Sequence, residues 1–205
     1  MQTASRTASG VSSVSALQRP RSVAVWDPVV RIVHWLIVIG FALNMFVTED
    51  GKPIHRWIGY AILAAILFRL VWGFVGTTHA RFSDFVPTPA RLWNYGKALL
   101  RGQEPRYVGH NPAAAMMIIA LISLLVLCGI TGWMQGLDAF WGKEWVQDLH
   151  EASAYAISAL VGIHVLAAIV ESLRHRENLI WAMMTGRKRA PSGTDIDHAS
   201  VAGRG

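Results

Sequence analysis

The sequence predicts an all-α integral membrane protein, a four-helix bundle in up-down-up-down order with both termini in the cytoplasm. Hydrophobic residues make up 53% of the 205 residues and charged residues only 16%, well below the roughly 25% of soluble proteins. The charges gather in the two tails and in three loops, and long apolar stretches separate them. A soluble helix needs charge on its exposed face, so this pattern indicates that lipid is the solvent.

Two spans joined by a tight turn are predicted first. The first span runs from about Pro28 to Val47, because proline suits the first turn of a helix and Asp27 can cap it. Residues 48–53 contain Gly and Pro and predict a tight turn. The second span, from about Ile54 to Val75, must therefore return antiparallel beside the first.

A basic loop at 76–111 leads to the second pair of spans. Within it, Pro89 to Arg101 is predicted to form an amphipathic helix on the membrane surface. The third span is Pro112 to Met134, which is long enough to cross a bilayer. Residues 135–147 carry two tryptophans four positions apart, which indicates an interfacial segment. The fourth span runs from about Leu149 to Leu173.

The distribution of Lys and Arg predicts the orientation. Both tails and the 76–111 loop are rich in these residues, whereas the other two loops contain five acids. Cytoplasmic segments carry the excess of Lys and Arg, so both termini should be cytoplasmic. We expect a disordered tail at 1–24, which lacks the apolar core of a signal peptide, a transmembrane domain at 25–189, and a disordered tail at 190–205.

Two classes of function are disfavoured by composition. The net charge of +6 comes mostly from Lys and Arg just outside the apolar spans, where they act as topology signals. We therefore predict no nucleic-acid partner. Cys128 is the only cysteine, so the chain has no internal disulfide and no cysteine-rich metal site. The motif that attaches c-type haem, C-x-x-C-H, is also missing.

Four of the eight histidines lie in or at the edge of apolar spans, where an ionisable side chain is costly and indicates function. His34 lies about 9 Å into its span at about 1.5 Å per residue, and His164 has a similar depth from the same side. His55 and His150 each open a span on the opposite, outer side. The depths predict an inner pair, His34 with His164, and an outer pair, His55 with His150.

The fourth span carries one histidine of each pair. His150 and His164 are 14 residues apart, which is about 21 Å along the axis and about 40° from a whole number of turns. Both rings thus face one side of the helix, which predicts two bis-histidine haem sites in the bundle. A single zinc or copper cluster is disfavoured because the pairs are so far apart. The alternative is that each histidine only hydrogen-bonds to a neighbouring helix.

Small and basic residues extend the predicted sites. Gly59 and Gly162 lie within about one helical turn of candidate ligands and leave room for a flat macrocycle. Glycine also favours close helix packing in membranes, and this alternative stays open. Arg31 and Arg56 are candidates for pairing with haem propionates, although they could equally extend to lipid headgroups. Arg69 lies deeper and is expected to contact a buried group.

Motifs spread over about residues 25–189 resemble the bacterial di-haem cytochromes b of the b561 type, a family that includes the cytochrome b subunit of nickel–iron hydrogenases. The motifs are Trp26-Asp27-Pro28 with Arg31, His34 and Trp35; His55-Arg56-Trp57-Ile58-Gly59-Tyr60 with Arg69; Gly109-His110-Asn111-Pro112 with Thr131-Gly132; and His150 with His164.

This resemblance implies two haem b groups held by the two histidine pairs. It further implies electron exchange with quinone in the bilayer and with a redox protein: a c-type cytochrome, a hydrogenase or another dehydrogenase. We therefore predict a multi-pass cytochrome of the bacterial inner membrane that carries electrons between such a partner and the quinone pool, with no residue in a bond-making role. The alternatives are a superoxide:quinone oxidoreductase, as some relatives are, and a haem-free membrane binding or transport protein.

Overall fold

The computed structural model describes residues 22–197. Helices and one small sheet make up this part of the chain. The helices are α1 (Pro28–Phe46), α2 (Pro53–Val75), α3 (Phe82–Phe85), α4 (Pro89–Leu100), α5 (Pro112–Met134), α6 (Glu144–His175) and α7 (Leu179–Thr185). The strands β1 (Ser22–Ala24) and β2 (Arg187–Arg189) form an antiparallel pair. Single turns of 3₁₀ helix lie at Thr78–Ala80 and Asp138–Phe140.

Among the described residues, four helices are long and apolar enough to cross a membrane: α1, α2, α5 and α6. Large apolar side chains cover their outer surfaces. Phe46 is 80% exposed, Phe74 is 73% exposed and Leu166 is 61% exposed. Extended apolar surfaces of this kind are unfavourable in water and favourable against lipid. The prediction of four apolar spans is confirmed.

The last span is longer than the sequence indicated. Helix α6 has 32 residues and already begins at Glu144, whereas the expected span was Leu149 to Leu173. The additional residues have no Pro or Gly to interrupt the helix, and the carboxylate of Glu144 is favourable in a first turn. The predicted interfacial segment at 135–147 therefore ends in a helix, and Trp145 lies in its first turn.

Capping side chains determine where three of the helices begin. Asp27 accepts a hydrogen bond from the Val30 amide at 2.9 Å, and Asn111 accepts one from the Ala114 amide at 2.7 Å. Thr88 caps α4 in the same way. In each case the next residue is a proline, whose fixed φ and missing N–H suit the first helical position. The predicted role of Asp27 as a cap is confirmed.

The core lies where α2, α5 and α6 meet. It is formed by Ile62 and Ile66 of α2, Leu125 of α5 and Ile157 of α6. Glycine lets helices approach closely here, because a Cβ atom on Gly40 of α1 would lie only 3.0 Å from Ile62. This contact holds α1 against α2.

A buried ion-pair network closes one end of the bundle. The Arg106 guanidinium donates to Glu177 at 2.9 Å and to Asp195 at 2.6 Å, and all three side chains are less than 10% exposed. Lys188 is 6% exposed and donates to the Tyr107 carbonyl oxygen at 3.2 Å. Burial lowers the pKa of Lys188 to about 8, although Glu177 opposes this shift. The network joins the α4–α5 loop to the chain beyond α6.

The ordered chain extends past both expected domain boundaries. Ser22–Ala24, expected to belong to the N-terminal tail, pairs with Arg187–Arg189. At the C-terminal boundary, Ile196 exchanges backbone hydrogen bonds with Arg106 and Val108 at 2.9 Å. The ion pair of Asp195 with Arg106 explains why residues 190–197 lie against the loop. The predicted disordered tails otherwise fall on residues 1–21 and 198–205, outside the described residues.

Candidate functional site

The structure brings the outer pair of histidines together. His55, in the first turn of α2, and His150 of α6 have ring centroids 6.3 Å apart and planes inclined by 67°. Two imidazoles that would hold one metal ion from opposite sides, each through one nitrogen, have centroids about 6 Å apart. This follows because a ring centre lies about 1.1 Å from its nitrogen, and the nitrogen lies about 2 Å from the metal. The pair therefore has the spacing of two axial ligands.

The ring of His150 is oriented by α5. Its Nδ1 atom lies 2.9 Å from the Cys128 carbonyl oxygen, 3.6 Å from the Cys128 sulfur and 3.4 Å from the Thr131 hydroxyl. A carbonyl oxygen only accepts hydrogen bonds, so Nδ1 carries the proton and donates it. The other nitrogen, Nε2, then keeps the lone pair that a metal ion needs. No pattern in the sequence marks this role of Cys128, because it belongs to the backbone carbonyl, a group that every residue has.

The ring of His55 is oriented by the end of α1. Its Nδ1 atom lies 3.1 Å from the Thr48 hydroxyl, and its backbone carbonyl accepts from the Asn44 side-chain amide at 2.9 Å. Neither Asn44 nor Thr48 stood out in the sequence, since polar residues at a helix end are common. The only available signal was their position beside a turn that was predicted to be tight.

The inner candidates are His34 on α1 and His164 on α6. Trp35 stands edge-on to the His34 ring at 5.3 Å. The Nδ1 atom of His34 is buried and has no hydrogen-bond partner among the described residues. Buried polar atoms are nearly always paired, so such an atom is a position where a bound group fits.

Two of the three glycines near the histidines border open space. A Cβ atom on Gly162 would meet nothing within 4 Å, and one on Gly59 would meet only the Asn44 amide nitrogen at 3.8 Å. Gly40, by contrast, is filled closely by Ile62. Gly59 and Gly162 therefore leave room beside candidate ligands, whereas Gly40 serves helix packing.

The three arginines differ in their surroundings. Arg31 donates to the Met184 carbonyl oxygen at 2.6 Å and retains a buried Nε without a partner among the described residues. Arg69 is 8% exposed, donates to the Ala80 carbonyl oxygen at 3.1 Å, and retains a buried Nη1 that is likewise unpaired. Both have a donor to offer an anion such as a propionate. Arg56 is exposed on the surface of α2.

A fifth histidine lies near the inner pair. His110 packs between Trp26, at 4.4 Å between centroids, and Phe85, at 4.8 Å. Burial, together with the positive charges of Lys188 and Arg69, lowers the pKa of His110 to about 3. Its ring is therefore neutral at pH 7. In the sequence, His110 falls in the 76–111 loop, where a histidine is common and does not by itself indicate a site. Its place in the Gly109-His110-Asn111-Pro112 motif was the one indication.

A family model described as prokaryotic cytochrome b561 matches residues 25–186. The chain belongs to this family. The resemblance inferred from the sequence motifs is thereby confirmed, and this b561-family chain is a membrane cytochrome with haem b as its cofactor and electron transport as its activity.

Named relatives agree with this membership. The chain is 28% identical over 227 aligned positions to a probable Ni/Fe-hydrogenase B-type cytochrome subunit of Bradyrhizobium diazoefficiens, covering 89% of the chain and 92% of the relative. It is 27% identical over 221 positions to the subunit of the same name from Rhodobacter capsulatus, covering 85% and 84%. A probable Ni/Fe-hydrogenase 1 B-type cytochrome subunit of Escherichia coli K12 is 24% identical over 79% of the chain and 88% of the relative.

Proposed function

We propose that this b561-family chain is a di-haem cytochrome b of the bacterial inner membrane, and that it transfers electrons between a redox protein and the quinone pool. The observation that carries the proposal is the outer pair. His55 and His150 come from different helices, have ring centroids 6.3 Å apart, and are each hydrogen-bonded at Nδ1. This arrangement suits bis-histidine ligation through Nε2.

The inner pair, His34 and His164, is proposed as the second site. Its distance from the outer site along α6 is about 21 Å, from the 14-residue separation of the two histidines on that helix. Haem b at the two sites supplies one-electron carriers at two depths of the membrane. In the proposed orientation the helices run up-down-up-down with both termini cytoplasmic, so the inner pair lies on the cytoplasmic side.

Accessory groups complete the two sites. Gly59 and Gly162 leave space for the macrocycles, as their open surroundings suggest. Arg31 is proposed to bind a propionate of the inner haem through its buried Nε, which has no partner among the described residues. For Arg56, an exposed side chain, we propose propionate binding at the outer haem.

The names of the relatives support a hydrogenase as the redox partner. Three relatives from different bacteria are named as B-type cytochrome subunits of probable Ni/Fe-hydrogenases. A c-type cytochrome or another dehydrogenase remains the alternative partner of the same chemistry, a one-electron donor at the membrane surface. Quinone is proposed as the acceptor because it dissolves in the lipid that surrounds the exposed apolar helices.

Haem content of histidine variants tests the proposal. The chain is purified in mild detergent, and haem b is quantified by the pyridine haemochrome assay and by reduced-minus-oxidised spectra. The variants are His34→Ala, His55→Ala, His150→Ala and His164→Ala. The control is His175→Ala, since among residues 22–197 the His175 side chain pairs only with Glu171, one turn earlier on α6, at 3.0 Å.

Two haems in the wild type and in the control are expected. The His55 and His150 variants should lose one and the same spectral component, and the His34 and His164 variants should lose the other. Wild-type protein without haem, or losses that do not follow these pairs, would contradict the proposal. Addition of superoxide, quinone or reduced hydrogenase to the wild type then identifies which reactant reduces or oxidises the haems.

A further inference from the structure

Around His55, the donor and the acceptor of each hydrogen bond can be identified from atoms that can only accept. The backbone carbonyl oxygen of His55 only accepts, so the group 2.9 Å away from it must be the donating Nδ2 of Asn44. This fixes the orientation of the Asn44 amide. Its oxygen, Oδ1, consequently faces the Thr48 hydroxyl at 3.3 Å.

The Thr48 hydroxyl has one proton and three close neighbours. Two of them are acceptors only: the Asn44 backbone oxygen at 3.4 Å and the Asn44 Oδ1 at 3.3 Å. The third is the His55 Nδ1 at 3.1 Å. A Thr48 hydroxyl that donates to one of the Asn44 oxygens accepts from His55, and this arrangement, which serves both residues, places a proton on Nδ1 of His55. Nε2 of the same ring then keeps its lone pair.

This chain of bonds is anchored in α1 and acts on α2. Asn44 lies in the last turn of α1, and the Thr48 amide donates to the Leu43 carbonyl oxygen at 2.9 Å. The bonds start at the backbone of His55 and return to its ring, so the ring is held by another helix. Asp50 also lies 3.8 Å from Nδ1, but its side chain is 99% exposed, and such a carboxylate contributes little.

We propose that Thr48, oriented by Asn44, is a positioning residue that fixes the ring and tautomer of His55 and lowers the reduction potential of the outer haem. The inference rests on the proposed function, since it takes His55 as an axial ligand. A ligand histidine that donates its second N–H is a stronger base. A more basic ligand stabilises ferric over ferrous iron, and the reduction potential falls.

The inner site has no counterpart of this arrangement at His34. Nδ1 of His34 is buried without a hydrogen-bond partner among the described residues. The haem at the inner pair can therefore serve as an internal reference in the same sample. A change at Thr48 should alter the potential of one haem and leave that of the other unchanged.

The test compares full-length wild type with Thr48→Val, which removes the hydroxyl, and Thr48→Ser, which keeps it. The matched control is Thr185→Val. Within the described part of the chain, the Thr185 hydroxyl bonds only to the Trp181 carbonyl oxygen, at 3.0 Å, apart from a weak 3.4 Å contact with the Arg187 amide. Haem content, optical redox titration and the electron paramagnetic resonance g values of the ferric haems are measured for each protein.

The expected result is that Thr48→Val raises the midpoint potential of one haem and changes its g values. The reduction equilibrium should shift between twofold and tenfold, and tenfold is about 59 mV for a one-electron couple. Thr48→Ser and Thr185→Val should match the wild type. Loss of one haem from Thr48→Val, with retention in Thr48→Ser, also supports the positioning role.

The inference is overturned if Thr48→Val changes the reduction equilibrium of each haem by less than twofold and leaves the g values unchanged. An equal shift in the midpoint potentials of both haems also overturns it. These outcomes leave the proposed function intact. The proposed function fails on a different observation, namely a wild-type protein that binds no haem dependent on His55 and His150. The two failures are therefore distinguishable in one set of samples.

Discussion

Replacing Arg106 by methionine should weaken the contact between the α4–α5 loop and the chain beyond α6. Arg106 bonds to both oxygens of Glu177, to Asp195 and to the Arg189 carbonyl oxygen, at 2.6 to 3.1 Å. Methionine fills much of the same volume without a charge. The variant therefore leaves two carboxylates, 8% and 9% exposed, without their main partner.

Breaking a buried ion pair by removing one partner costs about 3–5 kcal/mol. For a chain of this size, 1 kcal/mol lowers the thermal midpoint by about 2–4 °C. We therefore expect a decrease of about 6–20 °C. The decrease in the thermal midpoint is closer to about 6 °C if residues 187–197 detach locally, because detachment hydrates both carboxylates without unfolding the bundle.

The same ion pairs predict an acid dependence. Burial favours the neutral acid, but hydrogen bonds from Arg106 and the Arg189 amide outweigh it and lower the pKa of Glu177 below its usual 4.5. A lowered carboxyl pKa contributes stability that is fully present above pH 4.5 and is lost as the pH falls further. The wild type should lose this contribution in acid, whereas Arg106→Met should already lack it at pH 7.

The thermal midpoint is measured in detergent from the loss of the haem absorption band. Detachment of the 187–197 segment is measured separately by limited proteolysis. Arg187→Met is the matched control, because it removes the same charge from an exposed side chain whose one hydrogen bond to the described residues is to Ser22 Oγ, at 3.0 Å. The reasoning is refuted if Arg106→Met melts within 2 °C, roughly 1 kcal/mol, of this control and its segment resists protease equally well.

Three further predictions concern other parts of the chain. Lys188 has a folded-state pKa of about 8 against a usual 10.5, so the thermal midpoint should rise between pH 8 and 10.5, and Lys188→Met should lack this rise. Gly73→Ala should lower the midpoint by about 2–12 °C, from an overpacking cost of about 1–3 kcal/mol, because the new Cβ would overlap the Phe82 ring. Unchanged melting would contradict that contact. Gly162→Leu should reduce the haem content, measured by pyridine haemochrome. The control Gly96→Leu, at a glycine equally free of neighbours, should not reduce it. Equal haem contents in the two variants would show that haem does not occupy the space beside Gly162.

The spans could be predicted because each depends on local properties of the chain. Long apolar stretches have only one stable backbone form in lipid, and the caps at Asp27 and Asn111 are readable from a polar residue before a proline. The exact start of α6 could not be predicted. Continuation of a helix into its flanking residues depends on small differences in free energy that no local pattern marks.

The sequence by itself determined the membrane class, the four helices, the family and the four candidate histidines, since these follow from composition, spacing and motif. Only the tertiary structure decided which groups surround the candidates. It placed His55 and His150 with ring centroids 6.3 Å apart, set their Nδ1 atoms against the Thr48 hydroxyl and the Cys128 carbonyl oxygen, and packed residues 190–197 against a buried Arg106. These contacts join residues far apart in the chain or depend on backbone atoms that every residue has, so no spacing in the sequence records them.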